Sequence, residues 1–172
     1  PNLPRRLKDL TQFNQVCGYD AVNVIRITSP YTMAFGLIPR LVSMPEFPLS
    51  PLGLIHMSSQ IKIRKPLDAN TLYTFSVKLL PQLETTDKGL VIDLLIEARE
   101  ADGTVAWSMT ETLLSRKKGG KSQPREIKEE PTYDWVSTQT SAPSETGKKY
   151  ASVSGDYNPH HLHPIPAKVL GK

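Results

Sequence analysis

The chain has a single cysteine, Cys17, among 172 residues. That excludes an internal disulfide and leaves no paired thiols for zinc or redox work. A lone thiol of this kind reads as a buried apolar group. No apolar run approaches the roughly 18 residues that a membrane-spanning helix needs, and residues 1–10 lack the apolar stretch of a secretory leader. The expectation from these absences is a soluble, cytoplasmic chain with no membrane partner. The first residue is not methionine, so the natural start is expected upstream. Apolar content is also low. Leaving out the six tyrosines and adding the ten glycines gives about 40%, below the roughly 45–50% usual for soluble domains, which implies a large solvated segment.

What the chain does have is proline and a small basic surplus. Fifteen prolines amount to about 9% of residues against an average near 5%. Many fall at 1–4, 30–51 and 124–166, which leaves a middle suited to regular structure. Lys and Arg number 21 against 17 Asp and Glu, a net charge of +4. The densest basic run, Arg116-Lys117-Lys118-Gly119-Gly120-Lys121, meets Glu126, Glu129 and Glu130 at once and carries no interleaved aromatics for stacking on bases. It reads as a linker with no nucleic-acid partner, and Gly119-Gly120-Lys121 is too short for a phosphate-binding loop.

Along the chain, the β-branched stretch 21–27 predicts a short strand. A helix is expected next, with Ser29 as N-cap, Pro30 in its first turn, and Met33, Leu37, Leu41 and Met44 at helical spacing. Pro39 argues against a continuous helix, and three prolines in 45–51 end it. Residues 60–64 alternate strictly. In 73–79 the odd positions are apolar and the even ones polar, the mark of a strand with one face on a core. Turns at Asp87-Lys88-Gly89 and Asp102-Gly103 deliver two further strands, one with Ile92, Leu94, Ile96 and Ala98 on a face, the other with Val105, Trp107 and Met109. Short turns make these three strands antiparallel neighbours.

One helix candidate before a one-sided antiparallel meander predicts an α+β fold with the helix packed on the sheet; the hot-dog fold is one such arrangement. The division expected is a first domain over 1–115, a linker over 116–146 pinned by Tyr133 and Trp135, and a second domain begun in 147–172. Its first strand is expected in the alternating Lys149-Tyr150-Ala151-Ser152-Val153-Ser154. No internal repeat is evident.

Chemistry concentrates in Ser154-Gly155-Asp156-Tyr157-Asn158-Pro159-His160-His161-Leu162-His163. Asn158 followed by Pro159 is a helix start signal, which would put His161 in a first turn with Asp156 just before it and Gly155 permitting a tight bend. A carboxylate and an imidazole, with ordinary pKa values near 3.9 and 6.5, can divide acid and base work near neutrality. Two other readings stand beside this one. Asp156, His160, His161 and His163 are all metal-ligand types, although adjacent histidines seldom face one ion. A polar turn with solvated histidines would also account for the composition.

The eight residues from Ser154 to His161 resemble the S-G-D-x-N-P-x-H signature of the MaoC-like, (R)-specific enoyl-CoA hydratase family of hot-dog enzymes, with Ala167 and Gly171 also where that family has alanine and glycine. Pro51-Leu52-Gly53-Leu54-Ile55-His56, Ile61 and Pro66-Leu67 are similar to the degenerate N-terminal hot-dog of its two-domain members, where His56 would be structural. The resemblance implies a catalytic dyad of Asp156 and His161 holding and activating water, with Ser154, Gly155 and Asn158 positioning it. The implied reaction is reversible hydration of a trans-2-enoyl thioester to the (R)-3-hydroxyacyl thioester, with no metal or cofactor. The implied partners are a substrate on CoA or acyl carrier protein and a homodimeric or pseudo-dimeric double hot-dog.

Two departures qualify that expectation. His160 replaces a commonly apolar residue, and His163 replaces a frequent acid. In the family, the thioester oxygen is held by a backbone N–H from a helix further along than Lys172, and loss of such a donor is worth about 3–4 kcal/mol. These 172 residues alone are therefore expected to be inactive. A non-catalytic module that binds an acyl thioester or a protein is the competing reading.

Overall fold

The computed structural model describes residues 2–6, 10–19, 25–51, 53–117, 138–139, 141–158 and 162, with backbone alone for 2–6. In chain order the elements are β1 (Asn2–Arg6), α1 (Thr11–Val16), α2 (Ser29–Ala34), α3 (Leu37–Val42), β2 (Leu54–Ile63), β3 (Leu72–Thr85), β4 (Gly89–Arg99), β5 (Val105–Arg116) and α4 (Thr146–Ser154). The strands form one five-stranded sheet in the order β1-β3-β4-β5-β2, every neighbouring pair antiparallel.

The expected meander is β3-β4-β5, and its alternation sets the core. Tyr73, Phe75 and Val77 on β3, Ile92, Leu94, Ile96 and Ala98 on β4, and Trp107, Met109 and Leu113 on β5 are all buried. The register lines them up in rows across the sheet. Phe75 stands opposite Ala98 and Ala98 opposite Trp107. The next row is Val77, Ile96, Met109 and Ile61, and the one after it Leu79, Leu94, Glu111 and Ser59. Glu111 thus enters a row whose β3 and β4 members are apolar. The turn into β4 requires Gly89: its φ is 147°, and a Cβ there would collide with the backbone carbonyl oxygen of Ser115.

The predicted helix is split. α2 begins with Ser29 and Pro30 and buries Ser29, Pro30 and Ala34, while α3 restarts after Phe35-Gly36 and buries Leu37. The split resolves the difficulty with Pro39, which becomes the third residue of α3, where a missing N–H breaks no helical bond. Trp107, fully buried, donates its Nε1–H to the carbonyl of Ile27 at 2.8 Å and pins the chain just before α2. Met44, expected to belong to the helix, lies beyond α3 and is exposed.

One expectation is overturned, one lies mostly outside the described residues, and one strand was not foreseen. The strand expected over 21–27 lies outside the described residues except at 25–27, which are irregular and lead into a turn. β1, unpredicted, pairs with β3 and holds Pro4 at the sheet edge, where a strand tolerates proline. Residues 149–154, expected as the first strand of a second domain, are helical in α4. Their period-2 alternation is real, but Gly147, Tyr150, Ala151 and Ser154 also recur at i, i+3, i+4 and i+7, and all four are partly or fully buried. Small and polar residues on that face hid the helical period.

α1 has the same pattern, in Leu10, Phe13, Asn14 and Cys17. Phe13-Asn14-Gln15-Val16-Cys17-Gly18 corresponds position for position to Tyr150-Ala151-Ser152-Val153-Ser154-Gly155. Both end at a left-handed glycine, Gly18 at φ 73° and Gly155 at φ 76°. The two helices pack on each other through equivalent residues, the Phe13 and Tyr150 rings tilted with centroids 6.0 Å apart. The two segments thus read as a short local repeat of six positions, with Val16 matching Val153 and Gly18 matching Gly155. Cys17, expected to be buried, is half-buried against the core, and burial pushes its thiol pKa up.

Candidate functional site

The end of α4 presents the predicted site residues. Gly155, in the left-handed conformation, caps the helix by donating its N–H to the Ala151 carbonyl at 2.9 Å and turns the chain out of its axis. Ser154 is buried; its hydroxyl donates to the Tyr150 carbonyl at 2.8 Å and accepts the Asp156 N–H at 3.1 Å. Asp156, half-buried, accepts the Asn158 N–H at Oδ1 over 3.1 Å. Ser154 and Gly155 therefore fix the backbone of Asp156, and Asp156 in turn fixes that of Asn158. Asn158 and Tyr157 are exposed. The bend expected at a strand exit is a helix C-cap.

Four of the predicted residues are thus brought together: Ser154, Gly155, Asp156 and Asn158. His161, the expected partner of Asp156, lies outside the described residues, as do His160, His163, Ala167, Gly171, Tyr133 and Trp135. His56 is exposed: its Nε2 lies 2.8 Å from Ser59 Oγ and 3.1 Å from the Ser58 carbonyl. These contacts span the irregularity in β2, where His56 pairs with Leu113 and Ser58 with Thr112, leaving Met57 without an opposite residue on β5.

Two groups unforeseen from sequence stand near Asp156. Tyr31 on α2 has its phenol pKa pushed above the ordinary range, by burial first, then by the Glu111 charge and hydrogen bond, then by the charges of Asp156 and Tyr150. Tyr150 on α4 is raised by burial, then by the charges of Cys17 and Asp156. The charge of Asp156 thus adds to the burial that keeps both phenols protonated. Tyr31 donates to Glu111 Oε1 at 3.4 Å. Burial raises the Glu111 carboxyl pKa above the usual 4.5, outweighing the nearby His56 and the Tyr31 bond, which lower it. The sequence signal for Glu111 was available: it occupies the apolar parity of β5, on the face of Trp107 and Met109.

A five-stranded antiparallel sheet with its helices laid on one face defines the class as hot-dog. Comparisons with known proteins narrow it. The 3-hydroxyacyl-thioester dehydratase X of Mycobacterium tuberculosis is 26% identical over 172 residues, which cover 98% of this chain and 60% of the relative. A crystal structure of that protein, HtdX, superposes with a TM-score of 0.74 at 26% identity, covering 99% of this chain and 68% of the other. A MaoC-like dehydratase from Phytophthora capsici shares the fold, with a TM-score of 0.65 at 18% identity over 99% of this chain and 66% of that one. No protein-family model matches the chain. The chain shares the hot-dog fold of these proteins and spans about 60% of the length of the curated relative it matches.

Proposed function

We propose that the chain carries the dyad-bearing part of a lyase that interconverts trans-2-enoyl and (R)-3-hydroxyacyl thioesters by adding or removing water. The observation that supports this most directly is the placement of Asp156. It stands one residue beyond a left-handed helix cap, its backbone tied to Ser154 and its carboxylate to the backbone of Asn158, within a segment similar to the hydratase signature. The relative named as a 3-hydroxyacyl-thioester dehydratase supports the substrate class.

In this reading Asp156 and His161 hold the water. In hydration, one takes a proton from it as oxygen attacks C3, and the other delivers a proton to C2; dehydration runs the same transfers in reverse. The thioester acidifies C2, so no metal or cofactor is needed. Ser154, Gly155 and Asn158 keep the Asp156 turn in shape. The division into a first hot-dog (1–115), a linker (116–146) and the opening of a second (147–172) belongs to the same proposal. The repeat supports it: Tyr19, Ala21 and Val24 stand where the second copy has Asp156, Asn158 and His161, so the first copy has none of the chemical groups. A CoA or acyl-carrier-protein substrate, a pseudo-dimeric double hot-dog and a cytoplasmic site complete the reading.

The test is to express the complete gene and follow loss of the conjugated enoyl-thioester absorbance on a short- and a medium-chain enoyl-CoA. Turnover that falls by at least about 100-fold in Asp156→Asn is expected. An inactive parent, or an Asp156→Asn variant with full activity, would overturn the assignment, and thioester binding without turnover would favour a binding module.

A further inference from the structure

The irregularity in β2 changes which side chains share a face. In an unbroken strand, residues three apart point to opposite sides of the sheet, so His56 and Ser59 would be separated. Here His56 stands opposite Leu113, Ser58 opposite Thr112 and Ser59 opposite Glu111, and the extra residue, Met57, shifts the parity. Leu113 and Glu111 are two apart on β5 and share a face, so His56, Ser59 and Glu111 are gathered on it. α2 packs on β3 and β4 and α3 on β3, which leaves the β2 end of that face open. Ser59 and His56 are exposed there, while Glu111 is only 5% exposed.

The three side chains stand in line. Nε2 of His56 lies 2.8 Å from Ser59 Oγ, and Nδ1 lies 4.0 Å from Glu111 Oε1. One ring nitrogen thus meets a hydroxyl in the open and the other a carboxyl in the interior. Glu111 is short of partners. Tyr31 donates to its Oε1 at 3.4 Å, long for an O–H···O bond, and its Oε2 is buried with no hydrogen-bond partner among the described residues. Glu97, also buried, has Arg99 at 2.9 Å and Lys78 at 3.7 Å. The counter-ion that Glu111 lacks is supplied when the His56 ring takes up a proton, and the Ser58 carbonyl, 3.1 Å from Nε2, then accepts the new N–H. A hydroxyl, an imidazole that accepts from it and a carboxylate behind the imidazole make a serine nucleophilic.

We infer that Ser59, His56 and Glu111 form a second catalytic group, separate from the Asp156 segment, which cleaves small carboxylic esters through an acyl-serine. Ser59 Oγ attacks the ester carbonyl as its proton passes to His56 Nε2; the bond from carbon to the alcohol oxygen breaks, and the alcohol leaves with that proton. Water then attacks the acyl-serine and gives a proton to His56, and the carboxylic acid departs as the Ser59 oxygen takes the proton back. Water is the only further reactant. Ser59 and His56 act on the reacting atoms. Glu111 is a positioning residue that keeps the ring proton on Nδ1 and balances the imidazolium charge. β2 ends the sheet, and an edge strand presents unpaired backbone N–H groups, so the strand that carries Ser59 also carries donors for a developing oxyanion.

The test uses the protein from its complete gene with two probes: a biotin-tagged fluorophosphonate, which bonds to an activated serine with loss of fluoride, and p-nitrophenyl acetate. The label is expected on Ser59, located by peptide mass, and nitrophenolate should appear faster than in buffer. Ser59→Ala and His56→Ala should each lose the label at that peptide and lower ester turnover by at least about 100-fold. Ser59→Ala removes one exposed hydroxyl and should keep the parent's urea midpoint, so its loss is one of chemistry rather than of fold. Glu111→Gln should lower kcat about 10-fold with KM within about twofold.

No label on Ser59 together with hydrolysis at the buffer rate would overturn the site, as would labelling and turnover in His56→Ala equal to those of the parent. An unchanged kcat in Glu111→Gln would overturn the part given to the buried acid. Neither probe is an enoyl thioester, so these results stand whether or not the protein hydrates one.

Discussion

Phe13 and Tyr150 occupy equivalent places in two copies of the same short helix, and their rings meet at 6.0 Å. A contact between equivalent residues is what a two-fold relation produces. It ties α1 to the segment that holds the candidate site, because Asp156 follows directly from the helix that Tyr150 anchors. Phe13 is 4% exposed, so Phe13→Ala should cost about 3–5 kcal/mol through lost burial and a cavity. Phe13→Leu, which fills part of the space, should cost clearly less. Urea midpoints measure both, and an alanine variant as stable as the parent would show that the ring contact carries no weight.

The paired glycines allow a matched comparison. Gly18 and Gly155 share the left-handed conformation, and a Cβ on either meets no atom of the described residues within 4 Å. Alanine at each should therefore destabilise by the backbone term alone, about 1–2 kcal/mol. Only Gly155 leads into Asp156, so only Gly155→Ala should also lower turnover, while Gly18→Ala, followed by Tyr19, leaves it near the parent value. Equal kinetic losses in the two variants would argue that the effect comes from stability rather than from the aim of Asp156.

The parts legible in the sequence were those governed by one strong period. Tyr73, Phe75 and Val77, and Ile92, Leu94, Ile96 and Ala98, alternate cleanly because one face of an antiparallel sheet meets the core and the other does not. The turn from Ser154 to Asn158 was marked in the sequence by its residue types rather than by any period. α4 was not legible, because Gly147, Ala151 and Ser154 leave the buried stripe of the helix almost without large apolar side chains, while Ala151 and Val153 alternate with Ser152 and Ser154 as a strand would. The repeat was hidden for a related reason: Phe13 answers Tyr150 and Cys17 answers Ser154, which preserves size better than identity. Tyr31 and Glu111 are 80 residues apart, and only the packing of α2 on the sheet brings them together.

Glu111 also sets a pH dependence of stability whose sign can be worked out. Burial raises its pKa in the folded chain, against an unfolded value near 4.5; the His56 ring at 4.0 Å and the Tyr31 bond oppose the shift without cancelling it. Between those two values the folded chain keeps a proton that the unfolded chain has released, so stability falls as pH rises through that window and levels off above it. A glutamine side chain at this position has no proton to lose. Urea unfolding of the parent and Glu111→Gln should therefore give similar free energies at about pH 4, with the variant pulling ahead on the way to pH 8. Two curves that stay parallel over that range would mean that Glu111 titrates alike in both states, and that the buried acid behind Tyr31 is ionised rather than neutral.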